Sequence, residues 1–149
     1  MLVAGCAAPS APLRQKDLAA YMQQLTHWAP QEAEIGRSVR RILETEFVDE
    51  AEVRRQVAES LPRVDAQLAV VRAYRPAGAE LQAVHDSYVE AWDTLQRGYA
   101  DILRALDEGD QAALGRGRQA LLAWRHALPA TARRLRELAD ATNAAGPPT

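Results

Sequence analysis

Apolar side chains recur along this chain in alternating steps of three and four, the spacing that gathers them on one stripe of a helix turning once per about 3.6 residues. The pattern is clearest between Leu81 and Leu138. Leu81, Val84, Tyr88, Ala91, Leu95, Gly98 and Ile102 make one stripe, and Leu114, Gly117, Leu121, Trp124, Leu128, Thr131, Leu135 and Leu138 make another. Asp107-Glu108-Gly109-Asp110 separates them. There Gly109 suits a helix C-terminus, where a left-handed residue closes the last turn, and Asp110 suits the N-cap of the next helix. Two amphipathic helices joined so tightly form an antiparallel hairpin.

The first half of the chain predicts a second hairpin. Leu18, Tyr21, Leu25, Trp28, Ile35, Val39, Ile42 and Leu43 continue one stripe to about residue 46, interrupted by Pro30. The stripe keeps nearly the same phase beyond Pro30, which predicts a kinked but continuous helix. Asp49 and Glu52 read as an N-cap and its capping partner. They open a helix whose stripe is Val53, Val57, Leu61, Val64, Leu68 and Val71, with Pro62 in mid-course, and which ends before Pro76-Ala77-Gly78. The fourth helix carries a third internal proline, Pro129, and fades near Asn143. Short connections force neighbours antiparallel, so the prediction is an all-α, up-down-up-down four-helix bundle over residues 13–143, with long, proline-kinked helices. Residues 1–12 read as a tether and 144–149 as a disordered tail.

Charge refines the pairing. Glu80, Asp86, Glu90, Asp93, Asp101, Asp107 and Glu108 make the third helix acidic, while Arg116, Arg118, Arg125, Arg133, Arg134 and Arg136 make the fourth basic. Such opposite flanks predict that these two helices pair through their charges. Over the whole chain the net charge is only −2, without the basic excess of a general nucleic-acid binder. A length of 149 residues suits one domain. No apolar run reaches the roughly 20 residues of a membrane-spanning helix.

Chemistry is sparse. A bundle metal centre would need Glu-x-x-His on facing helices, and the sequence has none. His27 and His126 fall on the solvent side and His85 at the edge of its stripe, so all three read as surface or boundary residues. Ser38, Ser60 and Ser87 have no base placed by spacing. Gly115-Arg116-Gly117 sits in a helical pattern with no preceding strand and is no phosphate loop. Glu32 would point inward on a straight helix, and a kink at Pro30 would turn it out. The expectation is therefore a non-enzyme without metal or cofactor. Trp28, Trp92 and Trp124 fall near one level when counted from the turns at 47–49 and 109–110, with Pro30, Pro62 and Pro129 within about a turn of it. That level is either a packed core layer or a waist pocket for an apolar ligand.

One address stands at the N-terminus. Val3-Ala4-Gly5-Cys6, followed by Ala7-Ala8-Pro9-Ser10-Ala11-Pro12, resembles the lipobox and tether of bacterial lipoproteins. The resemblance implies cleavage before Cys6, lipidation of its thiol and attachment to the cell envelope, the outer membrane if Ala7 is read by the Gram-negative sorting pattern. A signal peptide needs a basic stretch and 7–15 apolar residues before the cleavage site, so this reading expects a precursor that begins upstream of Met1. The chain is thus expected to be a small helical lipoprotein that binds or scaffolds an envelope partner. The alternative is a cytoplasmic helical helper subunit in which Cys6 plays no part.

Overall fold

A computed structural model describes residues 13–45 and 49–145. They form four helices, α1 (Gln15–Glu44), α2 (Glu50–Ala73), α3 (Ala79–Glu108) and α4 (Gln111–Ala144), with no strand among the described residues. Each helix packs on the next, and α4 closes back on α1, giving the four-helix bundle. The lipobox, Cys6 and the tether to residue 12 lie outside the described residues, as does the tail from residue 146. Ala144 belongs to α4 rather than to the tail.

The turns form as their residues dictate. Gly109 adopts a left-handed φ of 68° that a side chain would disfavour. Asp110 Oδ1 then accepts from the amides of Ala112 and Ala113 at 2.9 and 3.0 Å, which holds its carboxyl below the usual range. Asp49 caps α2 by accepting from the Glu52 amide at 3.0 Å. The reciprocal half of that box differs from expectation: Glu52 turns to Arg55 and Gln56, and these bonds lower its pKa to about 2. Pro30, Pro62 and Pro129 are exposed, and no helix is split at any of them. A proline on the solvent face leaves the carbonyl it deprives open to water, so the helix survives.

The seams between helices are sealed by different means. At α3–α4 two glycines oppose each other. A Cβ at Gly117 would stand 2.5 Å from Ile102 Cγ1 and 2.9 Å from the Gly98 carbonyl oxygen, and one at Gly98 would stand 2.6 Å from Ala120 Cβ. The two backbones are therefore in contact. The predicted charge pairing of these helices is not what joins them. Among the described residues the cross-helix ion pairs of α3 go to α2, Asp93 to Arg72 and Asp107 to Arg54, and Glu34 of α1 pairs with Arg63 of α2. Close backbone approach at α3–α4 turns the acidic flank of α3 towards α2. Such exposed pairs select a partner more than they stabilise it.

Candidate functional site

The three tryptophans are core side chains, 3%, 0% and 1% exposed at Trp28, Trp92 and Trp124. Trp92 and Trp124 meet edge to face with ring centroids 5.3 Å apart, and Trp28 joins them through Tyr88, on which it stacks at 6.0 Å. Trp92 is wholly inside. Aromatic packing continues through His85, Tyr74 and Tyr21 towards the end where α1 starts. No indole nitrogen finds a partner among the described residues.

His85 corrects the sequence reading. It is 1% exposed. Its Nε2 lies 2.9 Å from the Val71 carbonyl, which can only accept, so Nε2 carries the proton and Nδ1 accepts from the Tyr21 hydroxyl at 3.1 Å. The ring thus satisfies a carbonyl in the last turn of α2. Burial holds the imidazole below its ordinary pKa, a shift that the bond to Val71 only partly offsets. The signal was available, since Leu81, Val84, His85 and Tyr88 follow the spacing of a broad buried stripe. His27 and His126 are exposed as expected.

Two of the serines that spacing left without a base lie together in the structure. Ser38 and Ser60 are buried and share a hydrogen bond of 2.5 Å across α1–α2. Burial raises the Tyr99 phenol to about 12, with the serine hydroxyls alongside opposing the shift. No histidine or carboxylate hydrogen-bonds either hydroxyl, so the pair offers no activated nucleophile. The described residues hold no cluster of three or more His, Cys, Asp or Glu side chains able to take a metal. No described helix is long and apolar enough to cross a membrane.

Open space collects along the α1–α4 seam. Towards the bundle end where α1 starts, a trough of about 540 Å³ is walled by Met22, Leu25, Leu128 and Leu135. A second hollow of about 630 Å³ continues it towards the middle, bordered by Gly36, Arg37, Arg40, Trp124 and Arg125. Ala29, Glu32 and Leu128 belong to both. Glu32 was expected to turn out to solvent behind a Pro30 kink. The helix is continuous through Pro30, as expected, but the carboxylate lies half-buried in the seam, accepting from the Tyr88 hydroxyl at 2.7 Å. Burial raises its pKa, while the Tyr88 bond opposes the rise. Tyr88 is in turn pushed well above its ordinary value, by burial first and by the Glu32 charge second.

The indoles therefore stand beside the cleft, with Trp124 bordering it, and do not enclose it. No protein-family model matches the chain, and no curated protein or solved structure matches it either.

Proposed function

We propose that this chain is a lipid-anchored protein of the bacterial envelope whose helical bundle binds a partner or ligand and does not catalyse. The observation that carries the binding reading is the α1–α4 seam. An apolar trough is left open there and runs on into a second hollow, whereas the 490 Å³ hollow between α1 and α2 and the 330 Å³ one between α3 and α4 stand apart. Stable bundles bury such a stripe, and sites in bundles are built between facing helices.

The anchoring reading is supported by Val3-Ala4-Gly5-Cys6. Leu13 packs at the α2–α3 turn, near Gly78, and joins the small core of Leu18, Tyr21, Leu81 and Leu135. A tether leading to Leu13 would thus reach the bundle at the end where α2 and α4 finish. That end gathers Arg14, Lys16, Arg72, Arg75, Arg133, Arg134 and Arg136 against Asp17, Glu80, Glu137 and Asp140, a basic excess that suits anionic headgroups. Lipidation of Cys6 adds at least two acyl chains, enough for stable attachment where one chain is marginal.

Fractionation of a bacterium expressing the full-length precursor tests the anchor. The protein is expected with the membranes, and Cys6→Ser is expected to release it or block its processing. Identical fractionation of the two would overturn the anchored reading.

A further inference from the structure

The α1–α4 seam is divided by chemistry. Its trough is mainly aliphatic with a single guanidinium, Arg136, on its wall, and Met22, one of the two large apolar side chains left exposed among the described residues, lies in it at 45% exposure. The hollow continuous with it is bordered by Arg37, Arg40 and Arg125, and none of the three makes an ion pair among the described residues. Guanidinium groups have a planar donor fork that matches carboxylate and phosphate oxygens. Along α4 from Leu128 to Ala139 the trough runs about 16 Å at 1.5 Å per residue, the extended length of a chain of roughly a dozen carbons.

We propose that this seam binds a single-chain aliphatic amphiphile with an anionic head, the chain lying between Leu25 and Leu135 and the head reaching Arg37, Arg40 and Arg125. The proposal rests on the reading of the bundle as a binding module, and not on the anchor. Glu32 lies where the two halves meet. A carboxylate there would repel an anionic head; burial disfavours that charge, while the Tyr88 hydroxyl, which donates to it, works the other way. Burial makes its neutral form easier to reach than at the surface, and in that form the carboxyl donates a hydrogen bond to the head. Tyr88 from α3 and Arg125 and Arg136 from α4 border the same spaces as this carboxyl, and Arg37 and Arg40 do so from its own helix.

Calorimetric titration of the full chain, below micelle-forming concentrations, tests the proposal. The probes are dodecanoate, dodecyl phosphate and dodecyltrimethylammonium, which share one chain and differ in the head. One anionic chain per protein is expected, bound at least about tenfold more tightly than the ammonium. The tighter of the two anions identifies the head as carboxylate or phosphate. Arg37→Gln with Arg125→Gln is expected to weaken dodecanoate by roughly fivefold or more, since charge-assisted bonds are lost. Arg118→Gln, exposed on α4 outside the seam, should leave it unchanged. Ala29→Phe, which fills the seam where the two halves join, should abolish binding without lowering Tm. Glu32→Gln should hold or tighten dodecanoate.

Several results would overturn the proposal. They are preference for the ammonium together with its loss in Glu32→Gln, loss on Arg136→Gln with Arg37 and Arg125 indifferent, wild-type binding by the Ala29 variant, or no binding of any chain. Failure here leaves the fractionation of Cys6→Ser untouched, and failure of the anchor leaves the titration untouched.

Discussion

Helix α4 has two seams, and the same kind of residue behaves oppositely in each. Facing α3, Gly117 has the Gly98 carbonyl oxygen and Ile102 so near that a methyl group would collide with both. Facing α4 from α1, Gly36 leaves 3.8 Å between an added methyl and the Trp124 ring, an ordinary contact distance. At one seam the backbones touch, whereas at the other the Trp124 ring stands between them and a trough remains. A glycine on a helix stripe therefore says little by itself. What it does depends on the width of the side chains opposite, and this decides where the bundle has room for another molecule.

The comparison breaks most visibly at Trp124, which belongs to both seams. Trp124→Ala removes the partner of Trp92 and the wall of the Arg-lined hollow, and truncation of a packed indole costs about 3–5 kcal/mol. Thermal unfolding should show a correspondingly large fall in Tm. Wild-type tryptophan emission should be blue-shifted, and red-shifted, readily quenched emission from all three indoles would contradict a packed layer.

Next comes a matched pair of substitutions. Gly117→Ala must push Ile102 or the Gly98 backbone aside and should destabilise by about 1–3 kcal/mol despite the better helix propensity of alanine. Gly36→Ala meets no obstruction and should gain about 0.5–1 kcal/mol from that same propensity. Chemical denaturation of both variants decides the matter. Equal effects of one sign would remove the distinction between the seams.

A pH titration of stability separates the interior of the bundle from its seam. His85 is buried neutral with its pKa lowered, so the unfolded chain takes up a proton near 6.5 while the folded one resists. Its contribution is therefore intact above that pH and is lost progressively as the pH falls below it. The slope should vanish in His85→Gln, which keeps a donor for the Val71 carbonyl. Glu32 has the opposite sign. Its pKa is raised in the folded chain, so ionisation costs stability as the pH climbs from its ordinary value of 4.5. Glu32→Gln should therefore raise Tm slightly at neutral pH, and the gain should shrink to nothing once the pH falls below that value. A gain that persists in acid would mean that the carboxyl is not held in the seam.

Much of this was legible in residue order. Asp49, Gly109 and Asp110 take the roles that their side chains and backbone freedom favour, and the inward stripes of α3 and α4 are those of the apolar spacing. His85 was misplaced because a residue beside the stripe can face either the core or its edge, and the deciding partners, Tyr21 and Val71, lie 64 and 14 positions away. Glu32 was misplaced because its partner, the Tyr88 hydroxyl, lies 56 positions away on another helix, which no spacing within α1 reveals. The acidic flank of α3 was matched to the nearest basic helix in the chain, yet its ion pairs reach α2.

What the chain determined by itself is local: four helices, their caps and turns, and the faces they bury, because these depend on side chains within a few residues of one another. The tertiary structure decided where backbones touch and where a trough remains, where the buried carboxyl and imidazole find their partners, and that Arg37, Arg40 and Arg125 border the hollow continuous with that trough. Those outcomes depend on the summed widths of side chains meeting across an interface, and no spacing within a single helix encodes that sum.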